Sequence, residues 1–162
     1  MVDENEFRDA YNRLNSTRCV FEKALLTRSC QCSRARGFRL AERMGFGCSH
    51  PVAQRRCGDL LALMRTNARF TLGMPAVDDG PLPHNKEIRV QIGGLRGLRG
   101  LCDDSRSEAS ETIADIDAVI EACIARHGSL ADIPYDRIVP SIAAYRVKRW
   151  RRRRSDPPPE DD

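Results

Sequence analysis

The sequence predicts an all-α domain: a compact bundle of four to five helices, with at most one short β-strand pair and a disordered C-terminal tail. Three observations carry that expectation. Apolar residues recur at helical spacing in several windows, strand-like alternation occurs only once, and aromatic residues make up only 6% of the chain. A β-sandwich draws far more heavily on alternating β-branched and aromatic residues. At 162 residues the chain suits one hydrophobic core. We therefore read residues 1–148 as a single cysteine-rich helical domain and 149–162 as its tail.

From the N-terminus, Phe7, Ala10, Tyr11, Leu14, Phe21 and Leu25 recur at helical spacing. They predict one helix over residues 4–27, or two joined end to end with a break at Asn15-Ser16-Thr17. Residues 33–44 (SRARGFRLAERM) read as a short basic helix interrupted by Gly37. Gly45 and Gly47 then free the backbone before Cys48. Ser49-His50-Pro51 opens a helix, with serine as candidate cap and proline in the first turn. Its stripe of Ala53, Cys57, Leu60, Leu61, Met64, Ala68 and Leu72 ends at Gly73 and Pro75.

Residues 74–85 read as a loop. Ile88, Val90 and Ile92 alternate with Glu87, Arg89 and Gln91, the single period-two pattern, and predict a short strand. The following GGLRGLRGLC has neither a Walker A lysine–serine/threonine pair nor GxGxxG spacing. It fits a glycine-spaced helix packed closely on a neighbour. Ile113, Ile116, Ile120 and Cys123 or Ile124 line a helix over 106–126 that exits at Gly128. A last helical segment starts near Pro134, with Ile138, Ile142 and Tyr145 inward and Pro140 as a kink or a restart.

Charge is unevenly placed. The net charge is only +4, yet residues 146–154 (RVKRWRRRR) hold seven cations and residues 155–162 (SDPPPEDD) four anions. The acidic N-terminus lacks the apolar core of a secretory signal, and no run reaches the ~18 apolar residues of a membrane span. These features lead us to expect a soluble, cytoplasmic protein without membrane contact. In such a reducing compartment thiols stay free, so seven cysteines need not form disulfides.

Five of those cysteines fall between residues 19 and 57. Cys57 and Cys123 lie on apolar stripes and suit packing, as does Cys102 after a leucine. Cys30, Cys32 and Cys48 sit among serine, glutamine, glycine and arginine, which suits chemistry better than a core. Thiolates hold soft metals and iron–sulfur clusters, usually four at a time. The compact candidate set is Cys30, Cys32, Cys48 and Cys57, for an iron–sulfur cluster first and zinc as the alternative. In one unbroken helix Cys19 would stand about 16 Å from Cys30 at ~1.5 Å per residue, so Cys19 joins only if the chain breaks near Arg28-Ser29. Paired CxxC motifs are absent, and a CxC pair chelates one tetrahedral zinc less readily than CxxC.

Cys19-x-Phe21-Glu22-Lys23-Ala24, the Cys30/Cys32 pair, Cys48, Cys57, Asn67-Ala68-Arg69-Phe70 and Pro81-Leu82-Pro83-His84-x-Lys86-Glu87 together resemble a family of small, cysteine-rich proteobacterial proteins, over residues 18–101. The resemblance implies a recurring unit and supplies no activity. It also implies a further cysteine near Gly93-Gly94, where this sequence has Ile92.

No nucleophile–base–orienter set is visible around Cys48, His50 and His84, so a non-catalytic protein is expected. The leading function is metal or iron–sulfur binding in a redox, sensing or cofactor-handling role, with a protein or redox partner. The alternative is a small basic interaction protein whose cysteines are structural. It would contact nucleic acid nonspecifically, or an acidic partner, through Arg146, Lys148, Arg149, Arg151, Arg152, Arg153 and Arg154. Trp150 would add base stacking.

Overall fold

A computed structural model describes residues 3–74, 82–102 and 111–147. It is mostly helical with one two-stranded antiparallel sheet, so the expected fold class holds in outline while the helices are more numerous and shorter. α1 (Glu4–Leu14) is capped by the Asp3 carboxylate, which accepts from the Asn5 N–H at 2.8 Å. The break expected at Asn15-Ser16-Thr17 is real, but no second long helix follows. α2 (Glu22–Leu26) is a single short turn, and Arg28 leaves it in the left-handed region at φ 59°. α1 buries no residue. Its Tyr11 instead leans on Phe38, with ring centroids 5.3 Å apart.

The basic helix expected over 33–44 is a β-hairpin. β1 (Ala35–Leu40) pairs with β2 (Arg43–Cys48) in the register Ala35↔Cys48 through Leu40↔Arg43, turning at Ala41-Glu42. Tertiary contacts override the helix propensity of Ala, Arg, Leu and Glu here. Segment 17–19 continues the pairing: the Cys48 N–H donates to the Thr17 carbonyl at 2.7 Å, and the Cys19 N–H to the Phe46 carbonyl at 3.0 Å. Gly47 permits this approach, because a Cβ there would lie 2.5 Å from Asn15 Oδ1.

α3 (Pro51–Ala68) buries Ala53, Leu60, Leu61, Met64 and Ala68, as its stripe predicts. Its cap is His50 rather than Ser49: the imidazole Nδ1 accepts from the Ala53 N–H at 3.2 Å. The expected strand at 87–92 is helical instead. α4 (His84–Ile88), a π-helical turn (Arg89–Gly93) and α5 (Gly94–Cys102) follow one another without a gap. The alternating polar residues misled because they face inward and are paired. Glu87, only 1% exposed, forms an ion pair with Arg65. Gln91 donates to Glu87 at 3.1 Å and accepts from the Ala24 N–H at 3.2 Å.

The glycine-spaced helix packs closely, as the sequence suggests. A Cβ on Gly93 would lie 2.8 Å from Ile142 Cα, and one on Gly97 would lie 3.1 Å from the Ile138 and Ser141 side chains. Those contacts are made by α7 (Val139–Ala144), where Pro140 restarts the helix after a 3-10 turn (Tyr135–Arg137). The helix expected over 106–126 is α6 (Ile116–His127). Ile113 lies outside it and forms a parallel bridge with Cys30. Cys102 and Cys123, expected as packing thiols, are joined as a disulfide between α5 and α6, with Cα atoms 5.5 Å apart. Among the described residues, no helix is long and apolar enough to cross a membrane.

Candidate metal centre

Four thiols converge on one small cavity, and they are not quite the four the sequence suggests. Cys19, Cys32, Cys48 and Cys57 line it together with Arg34 and Asp117. Cys30 is absent from its wall. It is 2% exposed within the hydrophobic core, because the Ile113 bridge turns it inward. The condition for admitting Cys19 is met: α2 ends at Leu26 and the chain reverses at Arg28.

Each thiol arrives on a different element. Cys19 is fixed by its backbone bond to Phe46 on β2. Cys48 ends β2, and its sulfhydryl donates to the His50 carbonyl at 3.3 Å. Cys57 lies in the N-terminal half of α3. Cys32 follows a stretch of chain held by the start of α6. The Gln31 N–H donates to the Ile113 carbonyl at 2.8 Å, the Ile116 N–H to the Gln31 carbonyl at 2.9 Å, and the Ser33 N–H to the Asp115 carboxylate at 3.0 Å.

Burial pushes the Cys19 and Cys57 thiols up to about 12 and raises Cys32 as well. For Cys19 and Cys57 the neighbouring cysteines add to that rise, so the four sulfurs feel one another. Opposing it, the Phe21 backbone N–H beside the Cys19 sulfur, and the Arg34 and Asp117 backbone N–H groups beside the Cys32 sulfur, lower those thiols. Such donors favour negative charge on sulfur. Asp117 Oδ1 lies 2.5 Å from Arg56, and Oδ2 lies 3.4 Å from Arg34. Arg56 Nε is buried without an acceptor, and Arg56 is the leading influence lowering Cys57.

The cavity holds about 20 Å³, room for roughly one water-sized sphere. The sulfurs line it without closing on its centre: among the described residues, no three His, Cys, Asp or Glu side chains are arranged as a finished metal site. Closure on an ion therefore requires the side chains to move inward. The donor set itself fits a soft cation: four sulfurs, backbone N–H groups beside two of them, and a partly buried guanidinium whose Nε has a donor to spare.

Sequence reasoning places Arg34 and Arg56 near the thiols as offsetting charge but misses Asp117, the carboxylate that joins them. Asp117 and Arg34 are 83 positions apart, and no local pattern joins them. Of the basic segment, Lys148, Arg149, Arg151, Arg152, Arg153 and Arg154 lie outside the described residues; Arg146 lies within them. Comparison with known proteins finds no matching family model, no matching curated protein and no matching solved structure. The resemblance read from the sequence therefore has no independent support.

Proposed function

We propose that this chain binds one soft divalent ion, zinc in the first instance, through Cys19, Cys32, Cys48 and Cys57, as a non-catalytic centre. The observation that carries this reading is the convergence of four thiols from four separate segments on a single-ion cavity. The volume favours one ion over an iron–sulfur cluster, which needs space for several iron and sulfide atoms. Four sulfur ligands complete a tetrahedron and leave no open position for substrate or water, as in structural zinc sites. Exchanging Cys30 for Cys19 also removes the strained use of a CxC pair.

Binding exchanges thiol protons for metal, because the ligand is the thiolate. The raised thiols make that exchange costly at low pH, and affinity rises steeply as pH rises. Backbone N–H groups of Phe21, Arg34 and Asp117, with the charge of Arg34 and Arg56, take up the negative charge left on the sulfurs. A bound ion would tie the hairpin to α3 and to the stretch of chain that bears Cys32.

Anaerobic purification followed by elemental analysis and a visible spectrum tests the reading. One zinc per chain and a colourless protein are expected. Iron and sulfide with visible absorption would replace the single ion by a cluster, and a metal-free protein that takes up no zinc would overturn the site.

A further inference from the structure

The Cys102–Cys123 disulfide closes a covalent loop around the residues that hold the thiol segment in place. Within that loop, the Ile113 N–H donates to the Ser29 carbonyl at 3.0 Å, and its carbonyl accepts from Gln31 at 2.8 Å. Ile116 donates to Gln31, Asp115 accepts from Ser33 and from the Asp117 N–H at 3.1 Å, and that N–H also lies beside the Cys32 sulfur. The Asp117 carboxylate anchors Arg34 and Arg56. α6 and the residues leading into it therefore supply an N–H, an anion and much of the backbone frame of the site, and the disulfide fastens α6 to α5.

We propose that this disulfide is a redox latch on the metal centre: closed, it holds 113–117 against the segment bearing Cys32, and its reduction lowers metal affinity. This rests on the thiol-site reading above. A cross-link spanning 21 positions restricts the chain it encloses, so opening it restores freedom to 111–117 that metal binding must then remove again. The two sulfurs differ in access. Cys123 is fully buried, while Cys102 is half-buried at the end of α5.

A dithiol reductant opens the latch by thiolate attack on Cys102 Sγ. The S–S bond breaks, a mixed disulfide forms at Cys102, and Cys123 leaves as a thiolate and takes a proton. The second reductant thiol then attacks its partner sulfur and releases Cys102 as a thiol. Two electrons and two protons pass to the protein, and the reductant becomes a disulfide. Because coupling is reciprocal, bound metal resists this reduction by the same factor by which reduction weakens the metal.

Competition with a chromophoric chelator compares zinc affinity in the disulfide-closed protein and in the Cys102→Ala/Cys123→Ala variant. At least about tenfold weaker binding is expected in the variant, and affinities within twofold of each other would overturn the latch. Amide hydrogen exchange at Gln31, Ile113 and Ile116 reads the latch without metal. Faster exchange is expected in the variant, and in the wild-type protein after dithiol reduction. Unchanged exchange would overturn the latch even if neither protein binds zinc, whereas absent zinc binding with faster exchange removes only the metal reading.

Discussion

The two ends of the molecule are held together in opposite ways. Around α4, α5 and α7, helices pack at van der Waals contact: Gly93 and Gly97 admit α7, and Ile92, Leu95, Leu98, Ile138 and Ile142 are all fully buried. The one buried charge in these elements among the described residues, Glu87, is matched by Arg65. Around Cys19, Cys32, Cys48 and Cys57 the frame is a two-stranded hairpin, an irregular stretch of chain and two helix starts, closing on a small cavity between raised thiols. A lone hairpin is marginal in water. One end completes its own packing, while the other has the donors for a partner it does not itself contain.

That contrast can be broken at either end. The largest single effect is expected from zinc removal. At an ion concentration of 1,000 times Kd, binding contributes about 4 kcal/mol, so a chelator lowers the unfolding free energy by that amount, read as a lower midpoint in a denaturant titration. Amide protection is expected to fall first at 17–19, 31–33 and 46–50, with the α5–α7 packing still protected. Uniform loss across both ends would erase the distinction.

At the other end, Glu87→Ala leaves Arg65 without its buried partner and is expected to cost about 3 kcal/mol, read by urea denaturation, with zinc content unchanged. A variant that also lost its zinc would tie the two ends together.

A smaller effect for each thiol is expected from alkaline pH on the metal-free protein. The Cys19, Cys30 and Cys57 thiols are raised to about 12 by burial. Below about pH 9 both folded and unfolded states keep these protons and stability is flat. Between about 9 and 12 only the unfolded state releases them, so stability falls by up to ~1.4 kcal/mol per pH unit for each thiol. Zinc affinity moves the other way and rises with pH. Unfolding midpoints measured at pH 8, 9.5 and 10.5, with and without zinc, separate the two slopes.

The same contrast explains what was legible in the sequence. α3 and the inward residues of α7 were readable because their signals are local: an apolar stripe, a proline at the first turn, isoleucines at helical spacing. The thiol end was misread wherever a distant partner decides. SRARGFRLAERM has good helix formers, but its β1 half pairs with GFGC, and the segment bearing Cys19 pairs with the opposite edge of β2. Glycines at 37, 45 and 47 were the available warning, since each weakens a helix by roughly 1 kcal/mol. Cys30 looked polar beside Ser29, Gln31 and Ser33, yet its bridge to Ile113 turns it into the core. At 87–92 the period-two pattern was real but tracked a buried ion pair and amide rather than a solvent face. The disulfide had no sequence signal: Cys102 and Cys123 read as two separate packing thiols.

The central claim is tested most directly by zinc content in two single variants purified side by side, Cys19→Ser and Cys30→Ala. Serine at 19 removes one wall of the cavity, while alanine at 30 alters only the core beside Ile113. The four-thiol centre predicts a loss of bound zinc in Cys19→Ser and a full complement in Cys30→Ala. Zinc retained at 19 and lost at 30 would contradict it.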